Sequence, residues 1–203
     1  MEPTLITEEF VSRLAKLSKI CDHFHLSLQS GCDATLKRMN RRYTIEEFEK
    51  GVKLLRQAYK NVALTTDIIV GFPGETDEEF NTTYEFLKRI KFYKMHIFKY
   101  SQRKGTRAAV MPNQIDGKIK EERSRKLIEL SNEYETEFNK GYIGKTVEVL
   151  FEEPHIENGI RFEKGHTTNY MVVKTLTNEE WENQIKCVKI EKLEGLESVG
   201  REE

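Results

Sequence analysis

The sequence predicts a parallel α/β fold that gives way to a small all-β unit, and three observations carry that expectation. The first is the stretch Ala63 to Glu79, ALTTDIIVGFPGETDEE, where an apolar β-branched run enters a glycine-proline turn and then a helix start. The second is the order of elements over residues 1–141, helix-strand-helix-helix-strand-helix-strand-helix, the alternation from which parallel sheets are built. The third is a change of character after Gly144, where short strand-like runs are separated by glycine, asparagine and proline turns.

Each element has a local reason. Thr7 caps a first helix whose Phe10, Val11, Leu14 and Leu17 share one face. His23 to Gln29 alternates, with Phe24, Leu26 and Leu28 on one side and His25, Ser27 and Gln29 on the other, which is a strand with one buried face. Past Gly31, a short helix is expected over Asp33 to Met39, and the basic residues Lys37, Arg38, Arg41 and Arg42 cluster around its end. Thr44 with Glu47 makes a capping box and opens a helix that turns Phe48, Val52, Leu55 and Tyr59 inward. Leu64, Ile68, Ile69 and Val70 then form a buried strand bounded by Gly71-Phe72-Pro73-Gly74. Gly71 has no Cβ, so a ligand can approach the backbone there. Thr76 with Glu79 is a second capping box, followed at helical spacing by Phe80, Tyr84, Leu87 and Ile90. Met95 to Ser101 is the third strand, Gln102 to Thr106 a polar loop, and Lys118 to Asn139 a long helix with Leu127, Leu130, Tyr134 and Phe138 on one stripe. Beyond a boundary near Gly141 to Gly144, strands are expected at Thr146 to Phe151, Tyr170 to Thr175 and Lys186 to Leu193. The expected domains are therefore residues 1–141 and 142–203.

Composition narrows the function classes. With 37% hydrophobic and 33% charged residues the chain is polar but able to form a core. No apolar run approaches the roughly 18 residues of a membrane span, and nothing resembles a signal peptide. Cys21, Cys32 and Cys187 are too scattered for a zinc or cluster motif, and free cytosolic thiols are expected. Residues 142–203 hold eight Lys/Arg against thirteen Asp/Glu, net −5, which leaves +4 on the remainder. Any case for nucleic-acid binding must therefore rest on local patches.

The strand faces point to a ligand. If the apolar side of each strand packs on helices, the other side presents His25, Ser27, Gln29, Thr65, Asp67 and Ile69, joined by His96, Phe98 and Tyr100 from the third strand. Barrel interiors are normally filled by branched apolar side chains. An unpaired buried Asp67 would cost several kcal/mol, so an open, ligand-lined cavity accounts for the pattern better than a packed core. Two chemistries fit it. His23 and His25 with Asp67 and His96 offer imidazole and carboxylate ligands for metal-dependent hydrolysis, although no third ligand is fixed by spacing. An organic cofactor is the other, with Gly71 admitting a purine edge and Gln29, Asp67 and Tyr100 offering polar contacts.

Three blocks, HLSLQSGCDATLKRMNRRYT (His25 to Thr44), TTDIIVGFPGET (Thr65 to Thr76) and FKYSQRKGTRAA (Phe98 to Ala109), resemble the radical S-adenosylmethionine methylthiotransferases. GKTVEVLFEE (Gly144 to Glu153) and GHTTNYMVVKT (Gly165 to Thr175) resemble the TRAM domain, a small β-barrel that holds RNA. The resemblance implies the C-terminal part of an open parallel (β/α) radical SAM barrel followed by a TRAM barrel. Within the family, HLSLQSGCDATLKRMNRRY is similar to the branch acting on threonylcarbamoyladenosine beside the tRNA anticodon. The isopentenyladenosine branch tends to carry proline where this chain has Ser27, and the ribosomal-protein branch departs from QSG. The family's C-x-x-x-C-x-x-C loop has no counterpart here. The expectation is a C-terminal portion of a cytoplasmic enzyme whose two iron–sulfur clusters are ligated outside these residues, inactive by itself.

The resemblance also implies roles, residue by residue. Glu2, Gln29, Ser30, Asp67, Gly71, Phe72, Tyr100 and Ser101 would line the S-adenosylmethionine site, with no catalytic residue and no metal ligand in the chain. Arg38, Arg41 and Arg42, and Lys99, Arg103, Lys104 and Arg107, are suited to tRNA phosphates. In the β unit, Thr167, Thr168, Asn169 and Tyr170 would meet RNA, Tyr170 by stacking. A freestanding RNA-binding module and a metal-dependent barrel hydrolase stand as alternatives.

Overall fold

The structure, a computed structural model, describes residues 1–203. Its contacts divide the chain into two compact units, one of residues 1–20 and 24–134, the other of residues 21–23 and 135–203.

In the first unit, helix α1 (Glu8–Leu14) begins at Thr7, whose side chain accepts from the Phe10 amide. Strand β1 (His23–Gln29), helices α2 (Asp33–Arg38) and α3 (Ile45–Ala58), strand β2 (Ala63–Val70), helix α4 (Asp77–Ile90) and strand β3 (Lys94–Lys99) follow. Helix α5 (Gly117–Lys140) runs from the first unit into the second. Both expected capping boxes form: Thr44 with Glu47 opens α3, and Thr76 with Glu79 opens α4. The sheet order is β1-β2-β3, with β2 and β3 parallel and Asp67 opposite His96. One face of this sheet carries Phe24, Leu26, Leu28, Leu64, Ile68 and Val70, all buried with Phe48, Val52, Leu55, Phe86 and Leu87 of the helices. At about 1.5–3 kcal/mol per fully buried large apolar side chain, this layer fixes the register. Strand β3 stops at Lys99, two residues short of expectation, although the Tyr100 amide still donates to Val70 O at 2.9 Å. No helix is long and apolar enough to cross a membrane.

The second unit is a closed barrel of β4 (Thr146–Glu157), β5 (Ile160–Thr167), β6 (Val172–Leu176), β7 (Ile185–Glu194) and β8 (Glu197–Glu202), ordered β4-β5-β6-β8-β7. Periodicity points to only three of these five strands. Of the missed two, β5 buries Glu163, Gly165 and Thr167, and β8 buries Ser198 and Gly200 on either side of Val199, so neither shows an alternating apolar signal. The glycines have a steric reason: a Cβ on Gly165 would lie 2.0 Å from Leu150 O, and one on Gly200 2.5 Å from Lys189 O. Val149, Phe151, Met171, Val173, Trp181, Val188 and Ile190 make the core. The expected strand start at Tyr170 is instead a tight turn, with Tyr170 at φ +67° and its amide donating to Thr167 O.

Candidate functional site

In the first unit the helix-free side of the sheet opens on a cavity of about 600 Å³ lined by Gln29, Asp67, Ile69, Phe98, Lys99, Tyr100, Ser101, Arg103, Thr106 and Ala108. The alternation that buries Leu26, Leu28, Ile68 and Val70 turns Gln29, Asp67, Ile69 and Phe98 the other way. The walls are mixed: Ile69, Phe98 and Ala108 give apolar surface, while Gln29, Asp67, Ser101 and Thr106 give donors and acceptors. Gln29, the last residue of β1, has φ +67°, a left-handed backbone rare for a side chain of its size. Such conformations cluster where structure serves a ligand.

Helix α5 holds the strand ends from behind. Lys120 Nζ donates to Tyr100 O at 3.1 Å and lies over the Tyr100 ring, whose edge meets Phe72. Arg123, only 6% exposed, donates to Glu75 Oε2 and Asp77 Oδ1, each at 2.7 Å. Glu75 Oε2 also accepts the Gly71 amide at 2.7 Å, so one buried carboxylate ties the strand-end turn to the helix. Burial, only partly opposed by the Gly71 amide and Arg123, pushes the Glu75 carboxyl above its ordinary range. Neither Lys120, Arg123 nor Glu75 stands out from the sequence, because their roles depend on where a distant helix lands.

Of the residues expected at a cofactor, Gln29, Asp67, Tyr100 and Ser101 share the cavity. Ser30 is buried behind it, its hydroxyl paired with Thr83. Gly71 and Phe72 do not line it, and the place where a Gly71 Cβ would point is filled by the Lys120 stem, 2.3 Å from that Cβ position, not by ligand space. Glu2 pairs with Arg41 at 3.7 Å. Among the basic residues, Arg103 lines the cavity mouth, and Arg42, Lys104 and Arg107 are exposed. Arg38 is committed to Glu79 through both carboxylate oxygens. In the barrel unit Thr168 is exposed and Tyr170 is 52% exposed, stacked on His166 at 4.4 Å. Thr167 and Asn169 are buried, Asn169 donating to the Tyr142 hydroxyl at 2.6 Å.

A parallel sheet covered by helices on one face and open on the other to a mixed-polarity cavity can hold a small organic ligand, and three comparisons bear on its class. Residues 2–87 match the model of the Radical SAM superfamily. The fold is shared with coproporphyrinogen III oxidase (HemN) from Escherichia coli, a radical SAM enzyme, at TM-score 0.56 and 15% identity over 66% of this chain and 31% of that one. Among sequences, the threonylcarbamoyladenosine tRNA methylthiotransferase MtaB of Bacillus subtilis is 41% identical over 94% of this chain and 42% of its own length. The tRNA-2-methylthio-N(6)-dimethylallyladenosine synthase of Alkaliphilus oremlandii is 46% identical over 75% of this chain and 32% of its own. Residues 2–87 thus carry a Radical SAM superfamily match, and over most of its length the chain is similar to tRNA methylthiotransferases. It spans about two fifths or less of the length of these relatives.

Proposed function

We propose that this chain is the cofactor- and tRNA-facing part of a methylthiotransferase acting on N6-threonylcarbamoyladenosine beside the anticodon, working in the cytoplasm. The observation that carries the reading is the 41% identity to the Bacillus subtilis enzyme over 94% of the chain, barrel unit included. Residues 142–203 would serve as a TRAM-like RNA-holding domain, with Thr168 and Tyr170 at its exposed turn.

When bound, S-adenosylmethionine together with an iron–sulfur cluster supplies the radical chemistry of this class. The cavity suits such a nucleoside: its volume of about 600 Å³ falls in the range of small-ligand pockets, and Tyr100 brings a buried hydroxyl without a partner to its wall. Gln29 and Asp67 would hold and orient it by hydrogen bonds, and Ile69 and Phe98 would exclude water from its apolar faces. The cluster does not fit this chain. Cys32 is buried while Cys21 and Cys187 are exposed and far apart in sequence, so no thiolate set converges. Its ligands would come from residues outside these 203, and residues 1–203 alone would not turn over. Arg103, at the cavity mouth, and the exposed Lys104 and Arg107 that follow it in the chain would contact tRNA phosphates.

A second reading, the dimethylallyladenosine substrate, is favoured by the 46% identity to the Alkaliphilus enzyme. Mass spectrometry of tRNA nucleosides from cells lacking the full-length gene separates the two. Loss of the methylthio group from threonylcarbamoyladenosine alone is the expected result. Loss from the dimethylallyl nucleoside would transfer the assignment, and an unchanged nucleoside profile would overturn both.

A further inference from the structure

We propose that His25, Asp67 and His96 form a binding site for one divalent transition cation, of the kind that takes imidazole and carboxylate ligands, on the open face of the sheet. The three residues stand on three adjacent strands, and Asp67 is directly opposite His96 in the β2–β3 register. One candidate ligand atom from each lies within 4.8 Å of the others. His25 Nε2 is already 3.3 Å from Asp67 Oδ2, and the His25 and His96 ring centres are 5.9 Å apart. Ligand atoms around a tetrahedral ion with bonds of about 2.0–2.1 Å sit roughly 3.4 Å from one another. From separations of up to 4.8 Å the needed contraction is at most about 1.4 Å, and the exposed His96 side chain is free of core packing to provide it.

A second contact points the same way. His25 Nδ1 is bonded to the Thr65 hydroxyl at 3.0 Å, which occupies one ring nitrogen and turns the other, Nε2, toward Asp67 and His96. Metal-bound histidines are held in this manner, the nitrogen that does not bind metal being fixed by an oxygen. His23, one alternation step earlier on the same strand face, falls outside the trio. Two imidazoles and a carboxylate leave coordination positions open, the arrangement of ions that bind an exchangeable oxygen or nitrogen ligand. Asp67 also lines the large cavity, which brings the trio to the border of the space proposed for the cofactor. The site is defined by its three side chains whatever that substrate is.

The test uses residues 1–203 with Cys21→Ser and Cys187→Ser, which removes the two exposed thiols as competing ligands. The metal-free protein is titrated with Co²⁺ by visible absorption and with Zn²⁺ by calorimetry. One saturable equivalent is expected. His25→Ala and His96→Ala should each abolish it, His155→Ala should leave it unchanged, and Thr65→Val should weaken it about 10- to 100-fold, as loss of an orienting partner does. Thermal melts of the metal-free variants separate site from fold: His96→Ala should melt with the parent but lose the stabilisation that Zn²⁺ gives it. Absence of saturable uptake by the parent, or uptake that survives His25→Ala together with His96→Ala, would overturn the assignment and leave His25–Asp67 a simple side-chain contact.

Discussion

The Arg38 guanidinium joins two helices that are distant in sequence. Its Nη1 donates to Glu79 Oε1 at 2.9 Å, and its Nη2 donates to Glu79 Oε2 and to Thr35 Oγ1. Glu79 has a second task, because its Oε2 accepts the Thr76 amide at 3.0 Å and closes the capping box of α4. The Arg38 hydrogen bond, against the opposing effect of burial and with help from the Thr76 amide, holds the Glu79 carboxyl below its ordinary 4.5. A carboxylate lowered on folding stabilises the protein above its unfolded pKa and loses that contribution as pH falls through the folded value. Urea unfolding followed from pH 7 downward should therefore lose stability below about pH 4.5, and Glu79→Gln should flatten that limb while costing about 1.5–3 kcal/mol at neutral pH. An acid limb unchanged in Glu79→Gln would assign it to other carboxylates. At this same scale, Gln29 and Tyr170 share an uncommon feature, φ +67° on a residue with a large side chain. Each is proposed to touch a ligand, and neither conformation is written in local sequence.

Among the elements, α5 contributes most to the site without entering it. Its Arg123 is nearly inaccessible and reaches Glu75 Oε2, Glu75 O and Asp77 Oδ1 in the turn that follows β2. Removing one member of a buried pair strands the other charge, so Arg123→Met should cost about 3–5 kcal/mol in urea unfolding. Converting Glu75 to Leu as well should recover much of it, since no buried charge is then left alone; no recovery would mean that Arg123 acts through Asp77. The sequence made the strands and capped helices of this unit legible, because Thr7, Thr44 and Thr76 cap by local chemistry and β1 alternates cleanly. Its polar open face was legible too, through His25, Asp67 and His96 at period two. What stayed hidden depends on contacts between distant residues. Lys120 fills the place in front of Gly71 where a ligand edge was expected, and Arg38, read as a phosphate contact, is spent on Glu79. In the barrel, β5 and β8 escaped because closure demands Gly165 and Gly200 where a periodic strand would show apolar side chains.

For the molecule as a whole, two cores of unequal strength imply unequal tolerance. The first unit packs more than twenty buried residues from sheet and helices, whereas the barrel core rests on seven, Trp181 and Phe151 in edge contact at 5.0 Å among them. A domain of this size draws only about 3–5 kcal/mol from its core. Gly165 faces Leu150 O so closely that an alanine there requires the β4–β5 pairing to open, and overpacking of this kind costs about 1–3 kcal/mol or more even in side-chain surroundings that can yield. Backbone cannot yield without losing its ladder, so Gly165→Ala should consume most of the barrel's stability. The chain carries one tryptophan, Trp181, 3% exposed in the barrel, while four of the five helices lie wholly in the first unit. Emission and helical circular dichroism thus report different cores. In Gly165→Ala, Trp181 emission should be red-shifted before any denaturant is added, or should shift at far lower urea, with the helical transition close to that of the parent. A parental Trp181 emission would mean that the strands can spread around a methyl group, and coincident loss of both signals would mean that the two cores fold as one cooperative unit.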